Sequence, residues 1–412
     1  WIDIMTSQWG FDLRTSHMRL LHNRGAAAPG FFTDVTEKAG FATKNDHVWT
    51  SLGSVDAALN ASYVDKFMAA GTITASQAAE AIYYDGGVAQ AAPNDQRTFS
   101  GQLSFAPAFV DLDGDGWQDI AITSDYGTSR IFWNRGDGTF ADGTATAGVS
   151  EEEHGMGSTF GDYDGDGKLD WFVTSIAMPD GMCAGPDPGI DCLASTGNRL
   201  YRNRGDRTFE DATDAMGVRQ GYWGWGTAFF DYDNDGDLDL TMTNGMNVKK
   251  LFRNDPLRFW ENEGPGKRMV EEAARVGLED RSSGKGLLTF DYDGDGDLDL
   301  FVVNDNAPPR LMRNDGGNKN AWLTVRVRGT RSNRDGLGAI VEMVRADGAA
   351  AQVREIGAAT HFLGQSERAA FFGLGASDAP VKEVRVRWPA SGKMQTFTDV
   401  PARSVLEATE PR

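Results

Sequence analysis

Four times in this chain, aspartates occupy positions 1, 3, 5 and 9 of a nine-residue segment. The sets are Asp111, Asp113, Asp115 and Asp119; Asp162, Asp164, Asp166 and Asp170; Asp231, Asp233, Asp235 and Asp239; and Asp291, Asp293, Asp295 and Asp299. Glycine fills position 6 each time and supplies a sharp bend. Carboxylates at this spacing, completed by the main-chain carbonyl of position 7 (Trp117, Lys168, Asp237 or Asp297), give about six hard oxygen donors, which suits Ca²⁺. An EF-hand opens with the same residues but needs a glutamate at position 12. Ile122, Val173, Met242 and Val302 stand there instead. The expectation is therefore about four Ca²⁺ sites on nine-residue loops between strands. Asp and Gly are common turn residues, but a turn does not need alternating carboxylates, which repel one another without a cation.

The elements around the loops repeat as well. Each loop runs into an apolar, strand-like segment, as in Asp119-Ile-Ala-Ile-Thr or Asp299-Leu-Phe-Val-Val. Ahead of each lies a strand carrying an aromatic near its end: Phe109, Phe160, Phe230 and Phe290. Three of these strands contain Gly-x-Gly (Gly155/Gly157, Gly224/Gly226, Gly284/Gly286), which suits an innermost position where strands crowd an axis. A third run ends in an asparagine beside arginine (Asn134, Asn203, Asn254, Asn314), and Thr139-Phe140 and Thr208-Phe209 open a fourth. Strand, loop and three more strands at steps of 51, 69 and 60 residues match a four-stranded propeller blade.

Trp1-Ile-Asp3 aligns with Trp117-Gln-Asp119, and His22-Asn23-Arg24-Gly25 with Trp133-Asn134-Arg135-Gly136. On this alignment residues 1–41 are the last three strands of a blade, Asp3 is a ninth loop position, and the sequence is a fragment of a longer chain. Residues 42–99 lack a loop, and Val55, Leu59, Tyr63 and Phe67 recur at four-residue steps, which predicts a helical insertion, with a degenerate blade as the alternative. Residues 100–320 hold the four loop-bearing blades. From 321 to 412, alternating runs such as Leu323-Val325-Val327 and Val384-Val386-Trp388 predict a small antiparallel β-sandwich. Its segments Asn333-Arg334-Asp335-Gly336 and Gly364-Gln365-Ser366 fit a binding site and turn chemistry equally. No run of 18 apolar residues is present to span a membrane.

The formal charge is −20, much of it in the loops, and four Ca²⁺ would bring it to −12. An acidic surface without basic clusters argues against nucleic acid and anionic membranes as partners. Cys183 and Cys192 lie in one Gly/Pro-rich stretch and suit a disulfide in an oxidising compartment, the alternative being two unrelated thiols. Arg135-Gly136-Asp137 and Arg204-Gly205-Asp206 spell an integrin-recognition tripeptide, yet both fill the same repeat slot, which asks for a tight hairpin turn.

These loops, with Gly-x-Gly ahead of them, resemble the FG-GAP/VCBS repeats of integrin-α-type propellers. The tail, with Asn333-Arg334-Asp335-Gly336, Phe362-Leu-Gly-Gln365-Ser366, Phe372-Gly-Leu-Gly375 and Arg387-Trp388-Pro, resembles an ASPIC/UnbV domain. Together they are similar to bacterial members of the cartilage acidic protein 1 family. That resemblance implies an all-β molecule, a β-propeller of seven blades when complete plus a small β domain, secreted, periplasmic or held at the cell surface.

Two functions follow as expectations. The first is a calcium-stabilised extracellular binding or adhesion module for a protein or glycan. The second is a secreted enzyme acting on polysaccharide, with a site at His154 and Trp223 on the propeller axis. Of five histidines none is paired at metal-ligand spacing, and no nucleophile elbow or phosphate loop is present, so no catalytic residue is assigned. His154 reads as a structural histidine, and Trp223 and Trp225 as packing.

Overall fold

A computed structural model describes residues 3–6, 18–28, 30–40, 104–125, 127, 129–179, 181–182, 195–247, 250–305, 307–358 and 360–412. The expected 42–99 insertion and the Cys183–Cys192 pair lie outside the described residues.

Among the described residues, five antiparallel sheets follow one another, each a meander in chain order. The second is representative: Ser104–Val110, Asp119–Ser124, Arg130–Asn134 and Phe140–Asp142. The third and fourth also have four strands, beginning at Ser158–Gly161 and Gly224–Phe230; the fifth has three, Ser283–Phe290, Asp299–Asp305 and Arg310–Met312. The first comprises Ile4–Thr6, Arg19–Asn23 and Phe32–Asp34. In sheets two to five, the acidic loop joins the first strand to the second.

Successive sheets stack face to face, because alternate residues of each second strand serve opposite neighbours. Trp171 and Val173 join the core shared with the second sheet, and Phe172 joins the core shared with the fourth. Every residue of Asp119–Ser124 and of Asp239–Asn244 is buried. Strands covered on both faces read as continuous apolar runs, not as alternation. Ile122, Val173, Met242 and Val302 fill these interleaved cores, at most 1% exposed.

Glycine lets the chain close up around the inner strands, with Gly226 inside Gly224–Phe230 and Gly155 and Gly157, expected on a strand, lying just before Ser158–Gly161. A β-carbon on Gly157 would stand 1.9 Å from the Trp225 carbonyl oxygen, and one on Gly226 would stand 2.5 Å from that of Lys285. Threonines then stitch each sheet to the next: Thr123 Oγ donates to the Met156 carbonyl (2.9 Å), Thr174 to Trp225 (2.7 Å) and Thr243 to Lys285 (3.1 Å).

Two strands depart from the expectation: the fifth sheet has no fourth strand among the described residues, and the third strand of the fourth sheet is shifted. The run Leu251-Phe-Arg-Asn254 is not the third strand of the fourth sheet; Lys250–Phe252 is a 3-10 turn and Arg258–Glu261 is the strand, so Asn262 takes the place expected for Asn254. Phe259 and Trp260 are buried at 0% and 2%, whereas Leu251 is 43% exposed, so the later register buries more apolar surface.

Beyond the propeller sheets, residues 321–409 form a sandwich. One sheet has the order Ala369–Gly375, Ala321–Arg328, Ser404–Thr409; the other Gln352–Glu355, Ile340–Val344, Val381–Arg387, Met394–Val400. Leu323, Val341, Phe372, Val384 and Trp388 fill the space between them. It is not wholly antiparallel, because Ala321–Arg328 and Ser404–Thr409 run parallel, with Leu323 opposite Ser404 and Arg328 opposite Thr409. The intervening chain crosses to the second sheet, so the last strand re-enters from the same end as the first.

A hairpin of this unit, Thr360–His361 with Gly364–Gln365, reaches the innermost strands of sheets two to five at once, which places it on their common axis. Phe362 at its tip is buried among Met156, Ile176 and Trp225, with its ring 5.0 Å from that of Trp225. No helix of the described residues is long and apolar enough to cross a membrane.

Candidate metal centres

The four acidic loops share one hydrogen-bond scheme. Position 1 is clamped by the glycine at position 6: Gly116 N–H donates to Asp111 Oδ2, Gly167 to Asp162, Gly236 to Asp231 and Gly296 to Asp291, at 2.9 to 3.0 Å. The N–H of position 5 donates to the position 3 carboxylate in the first three loops, and the N–H of position 7 donates to position 5 in all four. Trp117, Lys168, Asp237 and Asp297 stand at position 7 with their main-chain N–H engaged in this bond. These bonds fold the loop so that alternate carboxylates converge on one side.

Convergence differs between loops. Oxygens of Asp111, Asp113 and Asp115, and of Asp291, Asp293 and Asp295, lie within 4.8 Å of one another; in the middle two loops the groups are Asp162, Asp164 and Asp170, and Asp231, Asp233 and Asp239. Asp119 and Asp299 stand outside the first and last groups, as do Asp166 and Asp235 in the middle two. Position 9 clamps the hairpin in every loop. Its Oδ1 accepts the N–H of the hairpin asparagine, from Asn134 to Asp119, Asn203 to Asp170, Asn262 to Asp239 and Asn314 to Asp299, at 2.7 to 2.8 Å. Its Oδ2 accepts the N–H of position 2. Asp3 makes the same contact with Asn23, at 2.7 Å.

Burial pushes these carboxylates up, because the charged form loses hydration and has acidic neighbours. Asp119 and Asp231 reach about 8, Asp297 about 7, and Asp162 and Asp233 about 6; Asp170 and Asp239 rise well above the ordinary range. Asp111 Oδ1 and Asp297 Oδ1 are buried with no hydrogen-bond partner. Buried acceptors without donors, carboxylates destabilised by their own grouping, and a donor set made only of oxygen are the chemistry that a hard divalent cation satisfies.

Two sets of residues that hold these loops in place escaped the sequence reading. One is the side chain of the repeated asparagine. Asn203 Nδ2 donates to the carbonyl of Leu112 in the preceding loop (2.7 Å) and of Leu169 in its own (3.0 Å). Asn262 does so to Tyr163 and Leu238, and Asn314 to Tyr232 and Leu298. Each asparagine is a latch between consecutive sheets. The recurring Asn-Arg and Asn-Asp pattern was visible, but its turn role concealed this second one.

The other set belongs to the C-terminal sandwich. Glu355 accepts the Asp111 N–H (2.9 Å) and Gln118 Nε2 (2.8 Å), and burial pushes it up to about 7. Arg387 Nη2 pairs with Asp111 Oδ2 at 2.5 Å. Gly375 N–H donates to the Asn234 carbonyl (2.8 Å), and Gly373 lies so close that a β-carbon would meet Asp231 Oδ2 at 2.0 Å. Nothing in the spacing of residues 352–387 advertises these contacts.

The remaining candidates are accounted for locally. In both Arg-Gly-Asp segments the arginine N–H closes a turn onto the threonine carbonyl four residues on, and Asp137 and Asp206 accept bonds from Thr139 and Thr208. His154 Nδ1 lies 2.7 Å from Asp125 Oδ1. Trp223 and Trp225 stack at 6.5 Å on the side facing the axis, where Phe362 meets Trp225. Asn333 caps its own turn through Leu337, and Ser366 Oγ accepts the Thr289 N–H (2.8 Å), so both polar segments serve structure.

The chain matches the FG-GAP-like repeat family over residues 111–173 and 189–241, and the ASPIC and UnbV family over residues 329–412. It is 31% identical over 302 residues to human cartilage acidic protein 1 and 30% identical over 302 residues to the mouse protein, covering 71% of this chain in each case. The chain spans 42% and 43% of the length of those relatives. Among solved structures, the Bacillus licheniformis rhamnogalacturonan lyase PL11 aligns over 77% of this chain and 79% of its own, at 12% identity and a TM-score of 0.27, a likeness that supports neither a fold nor an activity. The repeats, the C-terminal domain and the shared sequence place this chain in the family of FG-GAP-repeat, ASPIC/UnbV-domain proteins related to cartilage acidic protein 1.

Proposed function

We propose that this protein is an extracellular, calcium-binding β-propeller that acts as a binding or adhesion module for a protein or glycan, secreted, periplasmic or held at the cell surface. The observation that carries it is the fourfold recurrence of one cradle, in which position 1 is clamped by a glycine N–H and its carboxylate neighbours are gathered within 4.8 Å. Positions 1, 3, 5 and 9 with the position 7 carbonyl would hold Ca²⁺, which neutralises the grouped carboxylates and ties the first strand of each blade to the second. Rigid blades then present their loops to a partner. The acidic charge of −20 disfavours nucleic acid.

The polysaccharide-enzyme reading requires His154 and Trp223 on an open axis, and no observation favours it: Phe362 is packed against Trp225 there. Calorimetric melting in millimolar Ca²⁺ and in excess EDTA tests the metal role. At a calcium concentration one hundred times Kd, each filled site contributes about 2.7 kcal/mol, so a large fall in Tm on chelation is expected and an unchanged melt would refute it. Capture on a glycan and matrix-protein array in calcium, lost in chelator, tests the binding role.

A further inference from the structure

The four loops differ in what faces their outer carboxylates. In the 111–119 loop, Arg207 from the next sheet's hairpin donates through Nε to Asp113 Oδ2 at 2.6 Å, and its Nη2 lies 3.5 Å from Asp115 Oδ2. The other oxygens of Asp113 and Asp115 already accept main-chain N–H groups, at 3.0 and 2.8 Å. The guanidinium therefore covers the oxygens left for a cation at positions 3 and 5. Asp111 Oδ1, in a residue 7% exposed, is buried in the same loop without a partner.

The 162–170 loop has the same arrangement by another route. Arg202, on a strand of its own sheet, donates through Nε to Asp164 Oδ2, and its Nη2 lies 3.5 Å from Asp166 Oδ2, beside Lys168 Nζ at 2.7 Å. Arginines from non-equivalent positions thus reach equivalent carboxylates. Arg207 does so from a left-handed backbone, φ 67°, at the place where the equivalent hairpin has Gly138, φ 83°. A side chain is held there against a steric preference for glycine.

The other two loops lack this feature. Glu261 stands where Arg202 would be in the 231–239 repeat and turns to Tyr232 and Arg275. Arg313, its counterpart in the 291–299 repeat, pairs with Asp315 at 2.6 Å. Among the described residues, no lysine or arginine nitrogen lies within 4.0 Å of a carboxylate in either loop.

We propose that the 111–119 and 162–170 loops are arginine-gated calcium sites, which fill only as Arg207, and Arg202 with Lys168, leave positions 3 and 5, whereas the 231–239 and 291–299 loops, where among the described residues only the neutral Asn318 amide faces Asp295 (2.8 Å), fill without displacing a charged group. This rests on the calcium reading above. Each gated site must release a charge-assisted guanidinium–carboxylate contact before it coordinates the ion. Because both arginines are about half exposed, water recovers part of that loss. The chain then binds calcium in two classes, two sites in each, with affinities about tenfold apart.

Titration of the full chain with Ca²⁺ against a chromophoric chelator reads the number and affinity of sites. Two tight and two weaker sites are expected. Arg207→Gln, and Arg202→Gln combined with Lys168→Gln, should each move one site into the tight class, and Arg313→Gln should change nothing. Arg207→Gly, which restores the residue of the equivalent hairpin, gives a second route should the glutamine variant fold poorly. Four sites of one class in the parent, or a weak class that the arginine variants leave unmoved, overturns the gating and leaves calcium binding intact. No calcium bound at any loop overturns the calcium reading and the gating together.

Discussion

Replacing Glu410 by glutamine should loosen the sandwich in a way that depends on pH. Its carboxylate is 2% exposed, which by itself would raise its pKa. Three main-chain N–H groups converge on Oε2, from Thr330 (2.9 Å), Arg331 (2.8 Å) and Ser332 (2.7 Å), and the Ser332 and Ser391 hydroxyls donate to Oε1 at 3.1 and 2.9 Å. These donors outweigh the desolvation and hold the group at about 2 against an ordinary 4.5. At 1.36 kcal/mol per pH unit, the depression corresponds to about 3 kcal/mol of stability at pH 7. Because the folded value is depressed, that stability is present above 4.5 and is lost as pH falls toward 2. Glu410→Gln keeps the shape but removes the charge. Urea unfolding of both proteins should give a difference of about 3 kcal/mol at pH 7, shrinking to about 1.4 kcal/mol at pH 3. A difference that stays constant across this range, or is below about 1 kcal/mol at pH 7, would refute the account of Glu410 as a charged staple.

Three further outcomes follow from the geometry. Asn262→Asp removes the two bonds donated to Tyr163 and Leu238 and sets a carboxylate against both carbonyls, so urea unfolding should show a loss of about 2 kcal/mol or more, and parental stability would dismiss the latch. Gly373→Ala places a methyl where Asp231 Oδ2 stands 2.0 Å away; limited proteolysis should then cut between the fifth sheet and the sandwich faster than in the parent, and equal rates would mean that the contact is dispensable. Trp388→Ala empties the middle of the sandwich core, where the ring is 0% exposed, and should cost about 3–5 kcal/mol in the same unfolding assay; a loss under about 1 kcal/mol would mean that the core reseals.

The acidic loops were legible because each copy carries its whole pattern of alternating aspartates and glycine within nine residues. Blade strands were legible for the same reason, since glycine, apolar run and asparagine recur at each repeat. The fourth sheet misled because Leu251-Phe-Arg-Asn254 copies that pattern by composition, while burial of Phe259 and Trp260 chose the later register. What stayed hidden depends on distant pairings. Glu355 meets Asp111 across 244 residues and Arg387 meets it across 276, and no local preference encodes either. The hairpin clamp made by Asp119, Asp170, Asp239 and Asp299 was hidden too, because a proposed ligand position and a clamp ask for the same residue.

The parallel alignment of Ala321–Arg328 with Ser404–Thr409 sets an order of events during synthesis. The strand beginning at Ala321 leaves the ribosome long before Ser404 exists, with one hydrogen-bonding edge unpaired until then. Ala369–Gly375 can cover its other edge earlier. Closure of the sandwich is therefore a late, long-range step, slowed by the entropy of a large loop. Until it happens, the exposed edge is where a nascent chain is most open to pairing with a neighbour.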